Sequence, residues 1–137
     1  MKLNPYLTFN GNCKEALNFY REVLDGEITY MKTFAESEGQ MPYKKEYSEK
    51  IMHANLTVGD FQIMGSDNMG DDFPFEKGNN FSLSLEFKNE DESAARIFSG
   101  LSENGHVIMP FKEVFWGGKF GMLTDQFGVQ WMVSNEG

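Results

Sequence analysis

The stretch "GDFQIMGSD", Gly59 to Asp67, has a counterpart near the end of the chain in "FGVQWMVSN", Phe127 to Asn135. Both run from a turn glycine through an apolar residue, a Gln and two large apolar residues to a small polar ending. Gln62 matches Gln130 and Met64 matches Met132. Each stretch reads as the closing arm of a β-hairpin. "IMHANLTV", a Gly-Asp turn and "FQIMGS" form the first hairpin, and "GKFGMLTD" with "GVQWMVS" forms the second.

Upstream of the first hairpin, "YLTFN" alternates as a strand does. Asn12 is placed as an N-cap with Glu15 three residues on, and Ala16, Leu17, Tyr20, Val23 and Leu24 recur at helical spacing until Gly26 stops them. "EITYMKTF" is a strand, and the polar run from Ala35 to Glu46 is a long loop. After a Gly/Asp/Pro-rich connector from Asn68 to Asn80, the same order begins again. "FSLSLEF" alternates strictly, with Phe81, Leu83, Leu85 and Phe87 on one face and Ser82, Ser84 and Glu86 on the other. A helix follows over about Glu90 to Asn104, with Ala94, Ala95, Ile97, Phe98 and Leu101 as its apolar stripe and Gly105 as its end. "HVIMPFKEVFW" is extended, and Pro110 argues for an edge or a bulge. Leu7 therefore lies on Leu85, Phe9 on Phe87, Ala16 on Ala94 and Tyr20 on Phe98. The expected fold class is α+β, two paired βαβββ modules in one domain over 1–137. Module one covers about 3–67, the connector 68–79 and module two about 80–135. Each helix covers one sheet face, and the opposite faces are expected to enclose a shared cavity.

Forty per cent hydrophobic residues, 13 Phe among them, supply enough apolar surface for a core in 137 residues. A net charge of −9 argues against nucleic acid and anionic membrane as partners. No run approaches the ~18 apolar residues of a membrane span, and no secretory leader core is present at the N-terminus, so a cytoplasmic location is expected. The single Cys13 excludes an intrachain disulfide. Its place at a helix start admits an activated thiol, with a buried structural side chain as the alternative.

"PYLTFNGNCKEALNFYREVLDGEI", "GNNFSLSLEF" and above all "FWGGKFGMLTDQFGVQWMV" resemble the PhnB-like branch of the vicinal oxygen chelate superfamily, over about Leu3 to Asn135. That superfamily includes glyoxalase I, fosfomycin- and bleomycin-resistance proteins and extradiol dioxygenases. The resemblance implies a cupped eight-stranded sheet, a homodimer and, in the enzymes, one divalent metal held by His, Gln or Glu. In this chain the positions of those ligands fall at Pro5, near Ser82 and at Met132. Proline has no side-chain donor, a thioether is too soft for Mg²⁺ or Mn²⁺, and one hydroxyl is weak alone. No standard metal and no other cofactor is therefore expected.

His53 and Asn55 should face the cavity, because Met52, Ala54 and Leu56 alternate toward the helix. A cavity-facing His could act as general base or hydrogen-bond a ligand, or serve structure alone. Ser82, Ser84 and Glu86 form the polar face of their strand, which lines a ligand in a cup or meets solvent in an ordinary sheet. Gln62 and Gln130 could orient a carbonyl or simply bridge strands. Trp116, Trp131 and Phe115 offer aromatic walls, against the commoner fate of core packing. His106 reads as surface, and Asp67, Asp71 and Asp72 as a solvated linker lacking EF-hand spacing. "WGGKFG" forms no dinucleotide fingerprint, which argues against Rossmann-type S-adenosylmethionine binding. The expected function is metal-free binding of a small organic molecule in a homodimer, in the manner of the bleomycin-resistance proteins. The rival is a metal-dependent lyase, isomerase or dioxygenase with relocated ligands, His53 and Glu86 being the candidate catalytic pair. A dimeric scaffold with a filled cavity is the third reading.

Overall fold

The computed structural model describes residues 1–37, 39, 43–68 and 74–137. The chain divides between Glu76 and Lys77 into two compact units of the same topology. In the first, β1 (Tyr6–Phe9), α1 (Cys13–Leu24), β2 (Glu27–Thr33), β3 (Ile51–Val58) and β4 (Phe61–Asp67) follow in sequence, and the sheet order is β1-β4-β3-β2. In the second, β5 (Leu83–Lys88), α2 (Asp91–Ser102), β6 (His106–Glu113), β7 (Lys119–Thr124) and β8 (Gln130–Glu136) give the order β5-β8-β7-β6. β1/β4 and β5/β8 are parallel and the other neighbours antiparallel, so each unit is a mixed βαβββ sheet. The duplication read from the hairpin arms is the architecture of the α+β chain.

Each helix forms because its apolar residues return on one face. Cys13, Ala16, Leu17, Tyr20 and Leu24 are buried in α1, within a core that also holds Phe9, Ala54, Leu56 and Ile63 of β1, β3 and β4. Ala94, Ile97, Phe98 and Leu101 do the same in α2, whose unit buries Leu123, Trp131 and Val133. Each fully buried aliphatic or aromatic side chain contributes about 1.5–3 kcal/mol. Phe98 also stacks on Phe111 of β6 at 5.7 Å between ring centroids. Ala95, expected in the stripe, is exposed.

The helix ends differ from expectation in an instructive way. Asn12 makes no side-chain capping bond, and the cap comes from the far end of β4 instead. Gly26 and Gly105 do not supply the left-handed turns after the helices. Asp25 (φ 56°) and Asn104 (φ 59°) do that. The two glycines are needed for closeness. A Cβ on Gly26 would lie 2.8 Å from Val58 Cγ2, and one on Gly105 would lie 2.5 Å from the Thr124 carbonyl oxygen.

Three other expectations change. Phe81 precedes β5 and is 82% exposed rather than aligned with Leu83, Leu85 and Phe87. The 35–46 loop carries single 3-10 turns at Ala35–Ser37 and Lys45–Tyr47. Its residues 38 and 40–42 lie outside the described residues, as do Asp71 and Asp72 of the expected linker. Asp67 is no linker residue: it ends β4 and is 2% exposed. Pro110 sits in β6, which is an edge strand with irregular pairing on either side of Met109, as its proline requires.

Candidate functional site

Strand parity decides what each sheet presents on the side away from its helix. In β3, Ala54 and Leu56 are buried in the helix-facing core, so His53, Asn55 and Thr57 project from the opposite face. Register then brings neighbours to them. Tyr30 of β2 lies opposite Asn55, Asn55 opposite Met64 of β4, and Met64 opposite Tyr6 of β1. One row of side chains thus crosses all four strands. Lys32 lies opposite His53 in the adjoining row.

His53 is the hub of this face. Tyr6 Oη and His53 Nδ1 are 2.9 Å apart, and the two rings stack at 5.5 Å with 27° between planes. Tyr30 flanks the imidazole on its other side, at 5.6 Å and 54°. The Lys32 ammonium lies 5.9 Å from the centre of the Tyr30 ring. Asn55 Oδ1 is buried and has no hydrogen-bond partner among the described residues. An unpaired buried carbonyl costs about 1–3 kcal/mol in stability, and such groups concentrate where function retains them.

His53 and Asn55 therefore share a face, as parity predicted, and Gln62 lies on it nearer the hairpin turn, opposite Thr57. Tyr6, Tyr30 and Lys32 escaped the sequence reading. Tyr6 could have been found, because it precedes Leu7 in the same alternation that assigned His53. Tyr30 and Lys32 were hidden by a β-bulge between Ile28 and Tyr30, which reverses the parity of the rest of β2.

The second unit presents Ser84 and Glu86 on the exposed, helix-free face of β5, with Met132 opposite Ser84. Gln130 is anchored at the start of β8. Its amide nitrogen donates to the carbonyls of Asn79 (3.2 Å) and Phe81 (2.8 Å), and the Ser82 hydroxyl lies 3.5 Å from the same amide. Trp116 and Phe115 pack edge to face at 4.8 Å in the loop between β6 and β7, 61% and 96% exposed. Trp131 corrects the expectation of an aromatic wall. It faces the helix side, is 1% exposed, and its Nε1 donates to Asp125 Oδ2 at 2.9 Å. His106 is exposed, as expected. His53 and Glu86 belong to different units.

The start of α1 could have served as an anion site, since its free N–H groups favour negative charge. The chain fills it with its own carboxylate. Asp67 Oδ1 accepts from Gly11 N (2.9 Å) and Cys13 N (3.0 Å), and Oδ2 accepts from Ile51 N (2.9 Å). Burial first, and the neighbouring Asp67 charge second, push the Cys13 thiol well above its ordinary range. Cys13 is a buried structural residue and not an activated nucleophile.

The positions where the superfamily's enzymes keep metal ligands do not fit a hard divalent ion. Pro5 offers only its carbonyl, which accepts from Met64 N at 3.0 Å. Met132 brings a thioether, and the Ser82 hydroxyl lies against Gln130. Among the described residues, no three His, Cys, Asp or Glu side chains gather as a metal cluster. No helix among them is long and apolar enough to cross a membrane.

A family model described as 3-demethylubiquinone-9 3-methyltransferase matches residues 1–134 of the chain. Protein YjdN of Escherichia coli K12 is 35% identical over 146 residues, spanning 98% of this chain and 95% of that protein. The crystal structure of PA1353 from Pseudomonas aeruginosa is 43% identical, with a TM-score of 0.86 over 99% of this chain and 98% of the other. The PhnB protein of Bacillus cereus is 28% identical with a TM-score of 0.77, covering 98% and 99% respectively.

Proposed function

The chain belongs to the family described as 3-demethylubiquinone-9 3-methyltransferase, the PhnB-like branch of the vicinal oxygen chelate superfamily, and from that membership we propose that it binds a small organic molecule without a metal. The observation that carries this reading is the Tyr6–His53 pair, hydrogen-bonded and stacked beside Tyr30 on the helix-free face of the first sheet. Ordered aromatic rings and a polar tip on a helix-free sheet face are what a partly apolar ligand requires. The donor chemistry of Pro5, Ser82 and Met132 supports the metal-free part. Ser84, Glu86, Gln130, Met132 and Trp116 are the second unit's candidate contacts. A homodimer in the cytoplasm is part of the same proposal.

Methyl transfer is not part of it. Rossmann-type cofactor binding sets the cofactor against the free N–H groups of a helix that follows a parallel strand across a glycine-rich loop. Here β1 does lead into α1, but Asp67 already occupies the N–H groups.

Native mass spectrometry of the protein as purified, together with elemental analysis, tests the reading. The expected result is a dimer mass, no stoichiometric metal, and a retained or addable small organic ligand. A tightly held, stoichiometric divalent ion would overturn the metal-free proposal and favour the lyase, isomerase or dioxygenase alternative.

A further inference from the structure

The corner of the first sheet formed by Lys32, His53, Tyr6 and Tyr30 has a charge and shape that narrow the ligand. We propose that it recognises the anionic group of a small planar organic acid, an inference that rests on the small-molecule reading of the same face.

Lys32 is an exposed residue whose ammonium lies 5.9 Å from the centre of the Tyr30 ring. It makes no ion pair among the described residues. Its nearest acidic neighbour in sequence, Glu36, is engaged elsewhere. The Glu36 carboxylate accepts from Thr33 N (2.9 Å) and Thr33 Oγ1 (3.0 Å), and these bonds hold its pKa below the usual range, with a lesser contribution from Lys32. Glu27 lies opposite Thr57, at the hairpin end of the strand and away from His53. Among the described residues, neither Glu36 nor Glu27 closes an ion pair on the Lys32 ammonium beside His53.

His53 adds a directed donor. When Tyr6 O–H donates to Nδ1, the ring proton sits on Nε2, which has no partner among the described residues. A carboxylate or similar oxyanion can then take one N–H from imidazole beside the ammonium, a charge-assisted arrangement. The exposed rings of Tyr6 and Tyr30 flank this corner at 5.5 and 5.6 Å from the imidazole and give a flat apolar body somewhere to lie. An inorganic anion would use the charge and leave the rings idle. A nucleic acid would meet the repulsion of a chain of net charge −9.

The test is an amide-shift NMR titration of the full chain at fixed ionic strength with 2-naphthoate, 2-naphthamide and inorganic phosphate. Naphthoate should shift the amides of Tyr30, Lys32, His53 and Asn55, with a Kd at least about tenfold below that of the neutral amide and of phosphate. Lys32→Met and His53→Gln should each erase most of that preference, while amides of the second unit and the far-UV spectrum stay unchanged. Equal affinity for acid and amide would overturn the anion assignment and leave the small-molecule reading standing. Phosphate binding as well as naphthoate would overturn the planar-acid assignment. If no compound shifts these residues and the purified protein retains no ligand, both readings fall together.

Discussion

Asp67 and Asn135 hold the same post in the two units: Asp67 pairs with Phe9 across β4 and β1, and Asn135 with Phe87 across β8 and β5. Each then turns a side-chain oxygen to a backbone N–H at the entrance of its own helix. Asp67 takes those of Gly11 and Cys13, and Asn135 takes that of Glu90 at 3.0 Å. The small polar ending of the duplicated hairpin arm is therefore a helix cap supplied from a distant strand. It fastens the last strand of each unit to the helix that covers it.

Asp67 serves three buried or part-buried donors and Asn135 one, so their removal should differ in consequence. Asp67→Ala leaves three N–H groups without an acceptor and should cost about 3–5 kcal/mol, at about 1–3 kcal/mol per buried unpaired group with partial relief by water. Asn135→Ala should cost about 1–2 kcal/mol. Urea unfolding measures both. Equal losses would mean that the two caps are not energetically distinct, despite their different bond counts.

This cap also marks the limit of what the sequence made legible. Periodicity located both helices, all eight strands and the duplication, because burial of alternate or helically spaced residues leaves a local imprint. Asn12 was a reasonable N-cap by type, yet the capping oxygen comes from Asp67, whose distance in sequence no local pattern encodes. His53 and Asn55 were placed on the correct face because β3 alternates cleanly there. Tyr30 and Lys32 were missed because a bulge reverses parity without leaving a glycine or proline to announce it. Trp131 was offered as a cavity wall although core packing is the commoner fate of an indole, and the core is where it lies. Its fate was set by Asp125, which accepts Phe127 N, Val129 N and the indole N–H.

The Cys13 thiol gives a pH signature. Its folded pKa is raised above its ordinary value of 9.0, first by burial and then by Asp67. The folded state keeps the proton that the unfolded chain releases, so the contribution is fully present below about pH 9 and is lost as pH rises beyond it. Stability of the wild type relative to Cys13→Ala should fall by about 1.4 kcal/mol per pH unit above that value. A parallel pair of stability curves from pH 8 to 10.5 would contradict this. The same burial predicts that a thiol reagent labels the protein only at the rate of unfolding.

The two tryptophans should report separately. Trp131 is enclosed and bonded to Asp125, whereas Trp116 stands in solvent beside Phe115. Iodide should quench Trp116→Phe weakly, with blue-shifted emission, and quench Trp131→Phe strongly, with red-shifted emission. Trp131→Phe should also cost about 2–4 kcal/mol, because it shrinks a packed core and strips a buried carboxylate of a donor. Trp116→Phe should be close to neutral. Its effect, if any, should fall on ligand binding.

Asn55 separates stability from function most directly. Its buried Oδ1 lacks a partner among the described residues, in a row with Tyr30, Met64 and Tyr6. Replacing a half-buried amide whose carbonyl oxygen is buried and unpaired with an apolar side chain of similar volume removes that oxygen's desolvation penalty and adds apolar contact. Asn55→Leu should therefore hold or raise the stability of the ligand-free protein by about 1 kcal/mol, which is about 3 °C in Tm for a chain of this size. The same change should weaken 2-naphthoate binding about tenfold or more if the amide turns to the ligand, while leaving the Tyr6–His53 pair in place. Calorimetric unfolding and the amide-shift titration together decide it. A variant that loses both stability and binding would show that Asn55 is a structural strand residue, and one that loses neither would move the ligand away from this row.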